Sequence, residues 1–168
     1  MKFIFFLAFG ASFLFPDRSV AQDTLYWSKA RPLKWTDFHG KAPPTQKHAA
    51  MTYSGIDYHA SLRGKKFTYK AVAFFSRIDS WVRTPTKKVL RHEQGHFNLT
   101  EIYTRKFRKA VDEYIAKGEI RQEDLHTLYF RNKKELREAQ ALYDKETDFS
   151  RNAVKQDYWS RKILEQLR

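Results

Sequence analysis

Thr84-Pro85 opens a stretch that reaches Lys117 with no further proline and only one glycine, Gly95. Threonine as N-cap with proline at the first helical position marks a helix start, and Gly118 supplies a C-cap. A single helix of that length is the frame on which the rest of the chain has to pack.

The segments on its two sides differ in kind. Upstream, Asp23 to Trp35 contains a short strand, and Phe38-His39-Gly40-Lys41-Ala42-Pro43-Pro44 is a loop by its glycine and paired prolines. Met51 to His59 and Phe67 to Phe75 have strand character, and the turn at Arg63-Gly64-Lys65-Lys66 joins them in a hairpin. Downstream, one helix covers Gln122 to Tyr143 and a last one Ala153 to Leu167. Strands first and helices after them make an α+β arrangement. A small N-terminal antiparallel β part packs on the long helix, and further helices follow.

The 168 residues, 42% hydrophobic and 16% aromatic, suffice for one compact domain and are too few for two. The first 21 are expected to be a signal peptide. Lys2 is a short positive start, Phe3 to Phe15 is an apolar run of 13 residues, and Ser19-Val20-Ala21 places small residues where a signal peptidase cuts. That run is shorter than the roughly 20 residues a membrane-spanning helix needs. Residues 22–168 then form a single exported domain, periplasmic or extracellular, beginning at Gln22. There is no cysteine, so neither disulfides nor thiolate chemistry enters. Removing Lys2, Arg18 and Asp17 from the 32 basic and 19 acidic residues leaves 30 against 18, a net of +12. Such a surface favours anionic partners, including components of the cell envelope. No nucleic-acid motif accompanies it, and export argues against a nucleic-acid role.

The long helix carries His92-Glu93-Gln94-Gly95-His96. Histidines four residues apart point within about 40° of each other on a helix. Two neutral imidazoles aimed at one point, with a carboxylate beside them, are what a hydrolytic zinc site requires. Val89, His96, Leu99, Tyr103, Ala110 and Tyr114 all fall within about 60° of His92, so the pair lies on the inward stripe. A chance H-E-x-x-H in a chain of this composition has a probability on the order of 1%. Gly95 costs a helix roughly 1 kcal/mol relative to alanine, which points to close approach of another segment beside the histidines.

The third ligand has no fixed place in the motif. Asn98-Leu99-Thr100-Glu101-Ile102 holds no glycine at which the chain could bend back, Ile102 cannot bind metal, and Glu101 lies about 180° from His92. The downstream candidates are His126, Glu135, Glu138, Asp144, Glu146 and Asp148. Asp144 is preferred, because it follows Leu142-Tyr143 at a helix end and a partly buried acid needs a cation. Asp148 is better explained as a turn or N-cap residue before the last helix.

At these residues the sequence resembles a bacterial family of unknown function described as predicted secreted zinc-dependent proteases. The stretches that carry the resemblance are Leu33-Lys34-Trp35-Thr36-Asp37-Phe38, Ala49-Ala50-Met51-Thr52-Tyr53-Ser54-Gly55-Ile56, Ser80-Trp81-Val82, Leu90-Arg91-His92-Glu93-Gln94-Gly95-His96-Phe97 and Tyr143-Asp144-Lys145-Glu146-Thr147. The resemblance implies a zincin-like site with His92, His96 and Glu93 in the usual roles. Some members carry a histidine where this chain has Phe149, which cannot bind a metal.

Two functions follow as expectations. In the first, Zn²⁺ sits on His92, His96 and a third protein ligand, Asp144, and Glu93 is general base to a zinc-activated water that attacks a peptide or protein substrate. Ser80-Trp81-Val82 could line the cleft and pair with that substrate, although a core position suits Trp81 equally well. In the second, the metal is structural and the exported domain is a non-catalytic module gripping anionic polymers or the envelope. A structural site would hold four protein ligands and would not need Glu93. Arg105-Lys106-Phe107-Arg108-Lys109 is the solvated side of the helix, with Phe107 turned in.

Overall fold

The computed structural model describes residues 23–64, 66–118 and 120–168; the expected signal peptide lies outside them. Strand β1 is Thr24–Tyr26, β2 is Ala50–Met51, β3 is Ser54–Arg63, β4 is Lys66–Ser76 and β5 is Trp81–Val82. Helix α1 is Lys87–Ile115, α2 is Gln122–Thr147 and α3 is Ala153–Gln166. The α+β reading holds: a three-stranded antiparallel sheet, order β1-β4-β3, and a small β2-β5 pair precede three helices. Among the described residues no helix is long and apolar enough to cross a membrane.

Helix α1 is central. One side packs with α2 and α3 through Leu99, Ile102, Leu136, Tyr143, Trp159 and Ile163. Phe97 joins Phe38, Ala73 and Phe75 beneath the sheet, and Phe107 and Val111 meet Ile56, Ala71 and Leu125. The helix is therefore buried over more of its circumference than one apolar stripe implies. Its polar residues are tied down accordingly. Thr100 and Thr104, both fully buried, donate to the carbonyls of His96 and Thr100 at 3.1 and 2.8 Å.

The element boundaries correct the sequence reading in five places. Helix α1 starts two residues late, with Thr86 as N-cap accepting from the Val89 N–H at 3.2 Å. The N–H groups of Arg83 and Thr84 both bond the Ala49 carbonyl, which holds that segment as a bend at the end of β5. The C-cap of α1 is Ala116; Gly118 comes two residues later, at φ +88, with its N–H on the Ile115 carbonyl. Helix α2 runs past Tyr143 to Thr147, so Asp144 lies inside its last turn. Asp148 is the left-handed C-cap of α2, at φ 48, and Asn152 caps α3 by accepting from the Lys155 N–H at 3.1 Å. The hairpin is also displaced: β3 begins at Ser54, because Ala50 and Met51 pair with Val82 and Trp81 instead.

Candidate metal centre

Helices α1 and α2 bring His92, His96 and Asp144 to one point. The His92 and His96 Nε2 atoms are 3.2 Å apart, and Asp144 Oδ1 is 3.0 Å from the first and 2.9 Å from the second. Donors on a tetrahedral zinc with bonds of about 2.0–2.1 Å stand about 3.3 Å apart, so the triangle is close to the size that such an ion spans. Among the described residues these three are the only group of histidines, cysteines or acids placed to hold a metal.

The outer nitrogens decide what the inner ones can do. His92 Nδ1 faces Gln156 Oε1 at 3.0 Å, and His96 Nδ1 faces Gln140 Oε1 at 2.7 Å. A glutamine oxygen only accepts, so each Nδ1 carries the hydrogen and each Nε2 presents a lone pair. The orientation of Gln156 is fixed by its amide, which donates to the Tyr143 hydroxyl at 2.7 Å. That hydroxyl donates to the His92 carbonyl at 3.2 Å. Burial pushes the Tyr143 hydroxyl above its ordinary pKa and keeps it a donor. Two lone pairs and a carboxylate thus meet with no hydrogen among them, and a cation is what satisfies such a cluster. Where no metal is bound, a proton takes that place. Burial raises Asp144 and lowers His96, but their mutual hydrogen bonding prevails, leaving Asp144 below and His96 above its ordinary value.

Gly95 has the close approach its position implied. A Cβ there would stand 2.7 Å from Tyr143 Cζ. Tyr143 uses the space to stack on the His92 ring at 4.6 Å and to meet His96 edge-on at 5.0 Å. Gln94 faces the other way, accepting from the Leu33 N–H at 2.7 Å and donating to Asn98 at 2.8 Å, which ties the N-terminal segment to the motif.

Glu93 is buried, 4% exposed, in the wall of a hollow of about 210 Å³ that also opens on the triad. The far wall is the β2 segment, Ala49 to Thr52, and His48 and Phe149 stand in the lining with their rings 4.7 Å apart. The Thr52 hydroxyl donates to the Glu93 carbonyl at 3.4 Å and fixes β2 to the motif.

The other candidate ligands are elsewhere. His126 is on the first turns of α2 against Phe130. Glu135 and Glu138 border a different hollow, with Tyr103 and Trp159. Glu146 accepts from Trp159 Nε1 at 2.8 Å, and Asp148 is paired with Arg151 at 2.6 Å. Glu101 is buried but turned away, bound to Arg105 and Arg108 at 2.9 and 3.2 Å; those two arginines are half-buried, not part of a solvated face. Trp81, expected either in the cleft or in the core, is in the core at 4% exposure, with β2 on one side and Gly40 on the other.

Sequence reasoning missed Gln140, Gln156, His48 and the role of Tyr143. Gln140 had a signal, since it precedes Asp144 by one helical turn and shares its face. Gln156 and His48 had none, because tertiary packing alone brings them in.

No family model, curated protein or solved structure matches the chain. The class this fold and site define, an α+β protein with a His-His-Asp centre on paired helices, rests on the geometry itself.

Proposed function

We propose that the protein is an exported zinc-dependent metallopeptidase in which His92, His96 and Asp144 hold the ion and Glu93 is the general base. The observation that carries the reading is the set of three convergent acceptors whose outer nitrogens are already committed to Gln156 and Gln140. Zinc in such a place lowers the pKa of a water and polarises a carbonyl. Three protein ligands fit an open, catalytic site better than a structural one, which uses four.

Glu93 accepts the proton of the attacking water and delivers it to the leaving amine. Its place in the wall of the same hollow, shielded from bulk solvent, suits that role. Peptide as the substrate is supported by β2. The Arg83 N–H bonds the Ala49 carbonyl, and with the Ala50–Val82 register this turns the Ala50 N–H and C=O away from β5. An extended backbone laid in the hollow has those groups to pair with.

Glu93→Gln tests the reading. Glutamine keeps the shape and cannot take the proton, so zinc uptake and melting temperature stay while hydrolysis of a broad peptide library falls by roughly 10²–10⁴-fold. Full activity in Glu93→Gln, or a zinc-loaded wild type that cleaves nothing, overturns it.

A further inference from the structure

The centre leaves much of the molecule's charge unexplained. Two exposed cations on α2, Lys133 and Arg137, have no ion-pair partner among the described residues, whereas neighbouring Lys134 is paired with Glu138. Both line a hollow between α2 and β3. That hollow shares Gln140 with the hollow over the metal centre. At its other end it shares Tyr129 with a third, of about 540 Å³, walled by Leu62, Phe67 and Phe130. The three hollows follow one another along α2, from the metal centre back toward its start, each sharing one wall residue with the next, and we read them together as one groove.

The opposite wall is a free edge. The sheet order ends at β3, so among the described residues no strand lies along its outer side. The Ser76 N–H bonds the Tyr53 carbonyl, and with the Ser54–Phe75 register this turns the N–H and C=O groups of Ser54, Ile56, Tyr58, Ala60 and Leu62 outward. The Tyr58 hydroxyl lies in the same wall, buried and without a hydrogen-bond partner among the described residues. An edge of this length with unpaired backbone is a surface for an added strand.

We propose that this groove binds an extended acidic peptide, paired along the β3 edge, with an Asp or Glu side chain between Lys133 and Arg137. The inference rests on the metallopeptidase reading and names its substrate class. Arg137 and Lys133 lie about 10 and 16 Å before Asp144 along the axis of α2, at 1.5 Å per residue. An extended chain advances about 3.3 Å per residue. The selected acid therefore stands about three to five residues from the bond at the metal, with apolar residues beyond it against Leu62 and Phe130. The net positive charge of the chain acts in the same direction, speeding encounter with such a substrate.

The test separates binding from cleavage. Zinc-loaded Glu93→Gln protein is titrated with a labelled peptide carrying three consecutive glutamates, and with its glutamine twin. The acidic peptide binds about tenfold more tightly, and Lys133→Gln/Arg137→Gln removes that preference while zinc uptake is unchanged. A control pair outside the groove, Lys29→Gln/Arg161→Gln, deletes the same charge and leaves the preference intact. Equal binding of the twins, or equal loss in the control pair, overturns the proposal in favour of bulk charge. Polygalacturonate binding more tightly than the peptide, through the same two residues, overturns the peptide as occupant. If the acidic peptide binds as expected and wild-type protein fails to cut it or any other peptide, the groove stands and the peptidase reading falls.

Discussion

Helix α1 carries two buried polar clusters of opposite kinds. Around Glu101 the fold supplies its own cations: one carboxylate, 6% exposed, receives Arg105 and Arg108 from the same helix. Around His92 and His96 nothing balances, because two imidazole lone pairs meet the Asp144 carboxylate and both outer nitrogens are spent on glutamines. Burial alone therefore does not distinguish a functional acid from a structural one. The distinction is whether the fold supplies the cation. Glu101 has its own, and the Asp144 cluster must obtain one from outside.

The largest effect that can break this contrast is removal of a ligand. His92→Ala, His96→Ala or Asp144→Ala should each lower zinc affinity by at least about 10³-fold, since a three-ligand site loses a third of its donors. At free zinc about a thousandfold above its Kd the wild type gains about 4 kcal/mol from binding, and these variants lose that increment. Elemental analysis with calorimetric melting measures both. Stoichiometric zinc in His92→Ala would dissolve the contrast.

Glu101→Gln is the matched experiment on the closed cluster. It removes the charge that holds two arginines, each of which has 36% of its side chain exposed and can turn to water. We expect a loss of about 2 kcal/mol in stability and no change in zinc content. Loss of zinc in this variant would show that the clusters are coupled through the helix.

Part of this was legible before any coordinates. The helical period placed His92 and His96 together and Glu101 opposite. The cost of Gly95 pointed to a close neighbour, which is Tyr143. Asp144 was singled out by burial chemistry. These are arguments local to one helix or general to any buried charge. What they could not reach is set by tertiary contact. Thr84-Pro85 has the form of a helix start, but the Ala49 carbonyl ties the Arg83 and Thr84 N–H groups into a bend. Met51 was read as the start of the strand to His59, yet with Ala50 it pairs with β5 and lines the hollow over His92, His96 and Asp144. Asp148, read as a turn or N-cap residue, is in the turn, but it ends α2 and leaves the capping of α3 to Asn152, with Phe149 and Ser150 also at positive φ.

The two glutamines grade the open cluster from within. Gln156 is fully buried and its amide also holds the Tyr143 hydroxyl, so no water stands ready to replace it. Gln156→Ala leaves the His92 Nδ1–H with Thr147 Oγ1, at 3.4 Å a poor substitute, and frees the ring to change tautomer. An outer partner of a metal-binding histidine is typically worth 10–100-fold in affinity, and Gln156 should fall near the top of that range.

Gln140 should fall near the bottom, at about tenfold. It holds His96 by the shorter bond, 2.7 Å, which by distance alone would make it the stronger partner. But Gln140 is only half-buried, on the wall that the groove shares with the metal hollow, and its amide makes just a long 3.4 Å bond to Thr100. In Gln140→Ala a water can occupy the vacated volume and accept from the His96 Nδ1–H, keeping the tautomer that leaves Nε2 free. Accessibility, not bond length, is thus expected to set the order of the two effects. Competition against a chelator of known affinity measures it directly. If Gln140→Ala costs as much zinc affinity as Gln156→Ala, solvent does not substitute at His96, and this end of the centre is as closed as the other.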